Sequence, residues 1–436
     1  MKNQSNDLNM AKKVNFIVLA VLVLISLLYG SPYTENGDMS AIDSGDTAWM
    51  LIASAFVLLM TPGLAFFYGG MVNKKSMIST MLQSFVALGV VSILWVLVGF
   101  SLAFGESWHG IIGNPMTYFN FRNVGLAPNP DFAGTVPFLV FALFQLKFAI
   151  ITPALITGSF AERVRFRSYI LFMVLFTLFI YTPLAHMTWH PDGLLRNLGV
   201  LDFAGGTVVH MSAGFAALAG AVYLGKRKKI THDPANVPYI ILGTGLLWFG
   251  WFGFNAGSAL AANADAVIAF ANTNIASATA MITWMFYERF SNRKMSAIGA
   301  CIGAIVGLVA ITPAAGFVTI SQSIFIGFTA AITSNLAISW FSKTGIDDTL
   351  DVFPSHGVGG IVGMILTAVF AKDVGLVNGE TETFMWHIIA LVAVAIFTFG
   401  GSLIFYKIVD ILIPIRVTAD QEERGLDASQ HGEVVD

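Results

Sequence analysis

Long apolar segments alternate along the chain with short polar segments that contain glycine, proline and charged residues. A helix needs about 20 apolar residues to cross the hydrocarbon core, where each backbone polar group must be paired within the protein. The apolar segments are continuous and do not alternate residue by residue, which disfavours a β-barrel. We predict eleven membrane-spanning helices, over residues 49–68, 77–104, 136–157, 168–186, 206–224, 237–258, 267–287, 295–311, 317–341, 357–371 and 384–412.

A further apolar run, residues 14–29, follows Lys12 and Lys13 and precedes a polar stretch. This pattern is typical of a secretory signal peptide, and an uncleaved extra helix is the alternative because no small-residue cleavage site follows. We therefore divide the chain into a signal segment or helix (residues 1–30), a membrane domain (residues 31–415) and a tail (residues 416–436). Residues 417–436 hold six acidic residues and one basic residue, as expected for a solvated tail.

The positive charges lie mostly on one side of the predicted helices. The loops on that side hold most of the 23 Lys and Arg residues, whereas the opposite loops hold Arg122, Arg196 and Lys372. Because Lys and Arg collect on the cytoplasmic side, we predict that the first main helix begins outside and that the C-terminus lies inside.

The composition excludes several classes of protein. Hydrophobic residues make up 56% of the chain and charged residues 11%, which is too little charge for a soluble enzyme or a disordered protein. The net charge of -3 offers no basic surface for nucleic acid. Cys301 is the only cysteine, so no internal disulfide can form. We find no nucleotide motif, nucleophile–base pattern or metal-ligand cluster, and we expect no enzymatic activity, cofactor or metal.

Two of the predicted helices, the fifth and the tenth, share a short pattern of polar residues. Asp202 precedes His210 near the start of the fifth, and Asp351 precedes His356 near the start of the tenth. The tenth helix comes five helices after the fifth. Because successive helices cross the membrane in alternating directions and five is an odd number, these two helices cross in opposite directions. The fold class we predict is therefore an all-α membrane protein with an inverted five-plus-five repeat and one added helix.

Histidines and aromatic residues inside the helices are the candidate functional groups. His210 and His356 are either two separate core histidines or a pair that shares a proton and lines a path for a small polar molecule. Phe144 and Phe148 are four residues apart and share a helix face. Aromatic faces beside a hydroxyl can bind a small cation. Since the sequence has no carbonyl filter or acidic ring, the passing species is neutral or is deprotonated first, as a protonated amine could be.

At these positions the chain resembles the ammonium transporter (Amt/Mep/Rh) family, on the Amt side, from about residue 49 to the C-terminus. The segments that carry the resemblance are residues 161–166, 185–189, 201–210, 250–258 and 347–357. The resemblance implies an eleven-helix fold with a five-plus-five repeat. It also implies a homotrimer in the cell membrane (the inner or plasma membrane), with one path in each subunit.

The resemblance also implies roles for individual residues. Phe144, Trp189 and Ser258 match an outer ammonium-binding site, with Asp202 as an acid near it. Phe148 and Phe254 match a stacked pair that closes the path. His210, His356 and Trp251 match the groups that line the path below this pair, where the two histidines also relay protons.

The function implied by the resemblance is ammonium transport, in which NH4+ is deprotonated and NH3 crosses while the proton follows a separate relay. A passive channel for NH3 or CO2 and an ammonium sensor that conducts little are the alternatives. Lys147, next to Phe148, would repel cations if it faced the path, but neighbouring residues point about 100° apart on a helix. Residues 423–433 resemble the family's cytoplasmic tail, which implies contacts with the inner loops and regulation by a PII signal protein.

Overall fold

The computed structural model describes residues 38–229 and 233–435, together with residues 17, 20–25 and 27. In the predicted signal segment (residues 1–30), 22 residues therefore lie outside the described part of the chain. In the described part, the helices are α1 (Ser44–Met71), α2 (Lys74–Phe104), α3 (Phe138–Phe160), α4 (Phe166–Asn197), α5 (Gly206–Leu224), α6 (Val237–Ala259), α7 (Ala264–Phe290), α8 (Ala297–Ile311), α9 (Ile320–Phe341), α10 (Phe353–Phe370), α11 (Glu382–Leu412) and α12 (Ala419–Arg424).

Among the described residues, ten helices are long and apolar enough to cross a membrane, and α8 is a shorter apolar helix of 15 residues. At 1.5 Å per residue α8 is about 22 Å long, which is less than the thickness of the hydrocarbon core. Large apolar side chains cover the outside of the helices, including Val267 and Ile411, each 70% exposed. The protein is therefore a predominantly helical, multi-pass membrane protein.

Most predicted helix starts differ from the observed ones by two to five residues, and polar caps explain two of these differences. α9 begins at Ile320 and not at Phe317, since the hydroxyl of Thr319 caps the helix and Gln322 caps it in return. α10 begins at Phe353 and not at Gly357, because the carboxylate of Asp348 accepts the Phe353 N–H at 2.7 Å. A cap lies outside the apolar run, so hydrophobicity alone places these boundaries poorly.

The loop between α2 and α3 forms two short antiparallel hairpins on one face of the helices. Here β1 (Ser107–Trp108) pairs with β2 (Ile112–Gly113), and β3 (Pro128–Asn129) pairs with β4 (Ala133–Pro137). We call this face the hairpin side and the face that carries α12 the tail side. Both α1 and α3 begin on the hairpin side, where the Asp43 N–H donates to Thr135 of β4 at 2.9 Å.

α5 and α10 cross closely at glycines near the centre of the molecule. A side chain at Gly214 of α5 would lie 2.3 Å from the backbone N of Gly357, and one at Gly360 of α10 would lie 3.2 Å from the backbone N of Met211. In each contact, a glycine of one helix lies against the backbone next to the histidine of the other helix. This equivalence is expected for an inverted repeat. Only residues without a side chain allow backbones to approach this closely.

Each of these two helices opens with a π-helical turn that carries a histidine. The turns are Gly206–Met211 and Phe353–Gly357, and π turns are frequent at functional sites. The carboxylate of Asp202 accepts backbone N–H groups at the start of the first turn, and that of Asp348 does so at the second. The repeat therefore matches Asp202 with Asp348, and our match with Asp351 was wrong in register.

The tail packs against the loops on the tail side. The carboxylate of Asp427 accepts the N–H groups of Ile78 and Ser79, at 3.0 and 2.7 Å, at the start of α2. The side chain of Gln430 accepts from the Phe166 N–H and donates to the Val164 carbonyl. The tail thus satisfies backbone groups at the ends of α2 and α4 that the helices leave unpaired.

Candidate functional site

A cavity of about 340 Å³ opens on the hairpin side among α3, α4, α6 and the start of α5. Of the residues predicted for an outer site, Trp189, Ser258 and Asp202 line this cavity, and the ring of Phe148 forms part of its wall. The indole N–H of Trp189 donates to the carbonyl of Asp202 at 3.1 Å, which fixes the ring against the α5 entry. Ser258 donates to the Phe254 carbonyl at 2.9 Å, so its oxygen lone pairs stay available to a bound donor.

The structure places Phe144 between Phe148 and Gly257. It is fully buried, does not line the cavity, and packs edge-on against Phe148 with ring centroids 5.0 Å apart. Gly257 makes room for its ring, since a side chain there would lie 2.8 Å from the Phe144 ring. Phe144 therefore supports Phe148 from behind.

Phe148, in the wall of the cavity, stacks on Phe254, which does not itself line the cavity; we call these two rings the aromatic floor. The Phe148 and Phe254 rings lie 4.1 Å apart between centroids and 28° from parallel. Trp189 meets Phe148 edge-on from above, at 5.8 Å. Both phenylalanines are almost completely buried. The pair separates the cavity from the groups beneath it.

His210 and His356 meet directly beneath the aromatic floor. Their Nδ1 atoms are 3.3 Å apart, and the two rings are roughly parallel, with centroids 5.4 Å apart. The Trp251 ring stacks on His210 at 5.4 Å, and Phe254 lies 6.0 Å from His210. The structure therefore brings together the two histidines, Trp251 and one ring of the floor.

Thr312, which the sequence analysis missed, favours one arrangement of the protons on the histidine pair. Its hydroxyl donates to the Leu308 carbonyl at 2.8 Å and accepts the Trp251 indole N–H at 2.9 Å. Its remaining lone pair faces His210 Nε2 at 3.3 Å, so that nitrogen carries a proton and donates. Nδ1 of neutral His210 is then the acceptor, and His356 donates its Nδ1 proton to it. A lone threonine at the end of an apolar run gives no signal in the sequence.

Asp202 is committed to the backbone at the start of α5. One carboxylate oxygen accepts the N–H groups of Gly205 and Gly206, at 2.7 and 2.6 Å. The other accepts the N–H and the hydroxyl of Thr207, at 2.7 and 2.6 Å. Gly205 has a φ of +118°, which a residue with a side chain rarely adopts. Asp202 therefore orders the turn that carries His210, while its negative charge stays beside the cavity.

The cavity also contains polar residues that the sequence analysis did not single out. They are Asp131, Gln145, Thr188 and Arg196. The Thr188 hydroxyl is buried and has no hydrogen-bond partner in the described part of the chain. Arg196 donates to the Trp189 carbonyl at 2.9 Å and thereby helps to hold the indole.

Below His356 the space narrows towards the tail side. A cavity of only about 10 Å³ lies among Phe67, Tyr68, Ile305 and His356. Such a volume holds about one water molecule, so it suits a very small solute. Tyr68 is held aside because its hydroxyl donates to the Leu155 carbonyl at 2.9 Å.

Lys147 faces away from this line of groups. It is partly buried and lines a separate groove between α1 and α3, whereas Phe148 faces the cavity. Its charge therefore does not enter the path. Within residues 38–229 and 233–435, no three His, Cys, Asp or Glu side chains are grouped so that they could hold a metal ion.

Comparison with known proteins places this chain in a family. The model of the Ammonium Transporter Family matches residues 48–435. An ammonium transporter of Aquifex aeolicus is 44% identical over 430 residues, which cover 97% of this chain and 99% of that protein. The crystal structure of Saccharomyces cerevisiae Mep2 is 36% identical, covers 90% of this chain and 92% of that one, and has a TM-score of 0.83. A structure described as a sensor Amt protein is 31% identical, covers 89% of this chain and 98% of that one, and also has a TM-score of 0.83.

Proposed function

The chain belongs to the ammonium transporter family, and we propose that it moves ammonium across the membrane by splitting NH4+ into NH3 and a proton. The observation that carries this proposal is the order of groups along one line. The cavity with Trp189 and Ser258 comes first, the stacked Phe148 and Phe254 rings follow, and the His210 ring lies beneath them.

In the proposed first step, the cavity holds NH4+ on the hairpin side. The ring faces of Trp189 and Phe148 attract the cation, and the Ser258 oxygen accepts one of its N–H groups. The carboxylate of Asp202 adds a favourable negative charge nearby, although its oxygens already bind backbone groups. Phe144 contributes indirectly, by holding the Phe148 ring in place.

In the second step, the proton leaves before the solute passes the aromatic floor. An ion without its water is very unfavourable among buried apolar rings, whereas neutral NH3 loses much less hydration. NH3 then passes Trp251, His210 and His356, whose ring atoms offer one hydrogen bond at a time. The proton crosses separately through the pair. For this, the pair takes the arrangement opposite to the one that Thr312 favours, with His210 Nε2 free and a proton on His210 Nδ1 and His356 Nε2. His210 Nε2 then accepts the proton that NH4+ releases, the Nδ1 proton shifts from His210 to His356, and His356 releases its Nε2 proton on the tail side.

The setting in the membrane is part of the proposal. We take α8 as a short eleventh span, the hairpin side as external and the tail side as cytoplasmic, in agreement with the distribution of Lys and Arg. We propose that the protein lies in the cell membrane as a homotrimer with one path per subunit. Residues 1–30 would be a signal segment or an extra helix, and residues 416–436 a regulatory tail to which a PII signal protein could bind.

The test is charge movement in proteoliposomes of the purified protein after a jump in NH4+ concentration. We expect a saturable current that is lost when His210 and His356 are both replaced by apolar residues. Protein-free liposomes are the control. An undiminished current in the double variant would remove the histidine pair from the mechanism.

The same assay separates the alternatives. An ammonium sensor would bind ammonium and give no current, and a passive channel would show NH3 or CO2 flux without charge movement. The family relatives described as ammonium transporters are closer in sequence than the sensor Amt protein, at 44% against 31% identity. Transport is therefore the function that we favour.

A further inference from the structure

Lys147 is a charged residue within a membrane helix that the proposed transport mechanism does not use. Its side chain lines a groove of about 220 Å³ between α1 and α3, on the face of α3 away from the path. The other walls of the groove are mostly apolar, and the one further polar group among the described residues that line it is Ser54, whose hydroxyl donates to the Met50 carbonyl at 2.7 Å. The apolar residues of the groove are Leu51, Ala55, Leu58, Val140 and Leu143.

Lys147 has no protein partner in the described part of the chain. It makes no hydrogen bond or ion pair with any described residue. It lies nine residues after Phe138, the first residue of α3, and so about 14 Å along the helix from the hairpin side. An ammonium group at that depth is costly in hydrocarbon unless an anion reaches it.

The carboxylates of the chain are not placed to supply this anion. Acidic residues of the described apolar helices lie near helix ends or turns, at Asp46, Asp192, Asp265, Glu288, Glu382 and Asp410. A second copy in the same bilayer would present the same helix ends, and residues 14–29 contain no acidic residue. The remaining anion available to a membrane-facing groove is a lipid phosphate.

We propose that the groove between α1 and α3 binds an anionic phospholipid, with its phosphate on the Lys147 ammonium and an acyl chain along the apolar wall. The lysine stem extends towards the headgroups on the hairpin side, as long cationic side chains do in membranes. A charged pair of this kind is stronger than a neutral hydrogen bond. A zwitterionic headgroup binds less well, since its own cation competes with Lys147 for the phosphate. This site is additional to the ammonium path.

The first test measures the thermal stability of the full-length protein in detergent, with added phosphatidylglycerol or with phosphatidylcholine of the same acyl chains. We expect phosphatidylglycerol to raise the Tm by roughly 2 °C or more over phosphatidylcholine. Lys147→Met should abolish this difference, whereas Lys343→Met, at an exposed lysine on the tail side, should keep it. Ala55→Phe, which fills the groove and leaves Lys147 in place, should also abolish it.

The second test identifies the occupant directly, by a photo-cross-linking residue (benzoylphenylalanine) in place of Leu143 in the membrane. We expect an adduct with phospholipid, and less of it when Lys147→Met is combined with the cross-linker. Cross-links to residues 14–29 or to a second copy in place of lipid would overturn the proposal, as would a Lys147→Met protein that keeps its preference for phosphatidylglycerol. Neither readout uses ammonium, so this proposal and the transport mechanism can fail independently.

Discussion

Replacing Thr312 by valine tests whether one hydroxyl determines which of the two histidines donates the hydrogen bond between them. Valine has nearly the shape of threonine but accepts no hydrogen bond. The substitution leaves the Trp251 indole N–H and the His210 Nε2–H without the acceptor that they now share, at 2.9 and 3.3 Å. All three side chains are almost completely buried, so water cannot easily replace the hydroxyl.

The expected cost follows from these two donors. A buried polar group without a partner costs roughly 1–3 kcal/mol, so both together cost about 2–6 kcal/mol. His210 can recover part of this by moving its proton from Nε2 to Nδ1. It then becomes the donor towards His356, and the hydrogen bond between the rings is reversed. Because each turnover of the relay passes through both arrangements, a shift of about 1.4–3 kcal/mol in their relative free energy slows the relay by roughly tenfold to a hundredfold.

The assay combines the ammonium-driven current with ring-nitrogen NMR of histidine-labelled protein in lipid. We expect Thr312→Val to lower the current and to exchange the protonated and unprotonated nitrogen signals of His210. Thr312→Ser keeps the hydroxyl and should behave like the native protein. Thr367→Val removes a buried hydroxyl that bonds only the Gly363 carbonyl, and it should leave both readouts unchanged. A Thr312→Val protein with native current and native ring signals would refute the reasoning.

Three further substitutions test the contacts that hold α5 and α10 in place. Gly214→Ala places a methyl group 2.3 Å from the Gly357 backbone, so we expect α5 and α10 to separate and the current to be lost; Gly89→Ala, with open space around it, is the control. Asp202→Asn replaces one accepting oxygen by an amide, and we expect a loss of about 2–4 kcal/mol in thermal unfolding; an unchanged Tm would contradict the capping role. Burial, and then the charge of Asp348, raise the pKa of Asp351 from 3.8 to about 8. The folded protein therefore binds a proton that the unfolded chain releases, so stability falls as pH rises from about 4 to 8. Asp351→Asn should flatten this fall in Tm measurements across that range.

The helices could be predicted because the bilayer requires each apolar run to pair its own backbone groups. The starts of α9 and α10 were misplaced where Thr319 and Asp348 cap the helix from outside the run. The same effect shifted the register of the repeat, since Asp351 resembles Asp202 in sequence, while Asp348 makes the equivalent contact. Such caps depend on which oxygen reaches which N–H group, and hydrophobicity carries no information about that.

The candidate site could likewise be predicted from the sequence only in part. The residue types, aromatic rings beside a hydroxyl and two histidines in membrane helices, were visible along the chain and matched a known family. Their arrangement was not, because it depends on the crossing of α5 and α10, which lie far apart in sequence. That crossing brings His210 and His356 together and adds Thr312 from the end of α8. It also leaves Phe144 buried behind Phe148 and not in the cavity.

The amino-acid sequence by itself determined that this protein is helical, lies in a membrane and belongs to the ammonium transporter family, because these properties follow from local apolar runs and conspicuous motifs. The tertiary structure alone decided which side chains share a cavity, which hydrogen-bond partners surround the two histidines and where Lys147 points. The physical reason is that helix packing fixes how far each helix is rotated about its own axis, and so decides which of two neighbouring residues faces the path. A turn of about 100° moves a side chain from the path, where Phe148 lies, to the groove that holds Lys147.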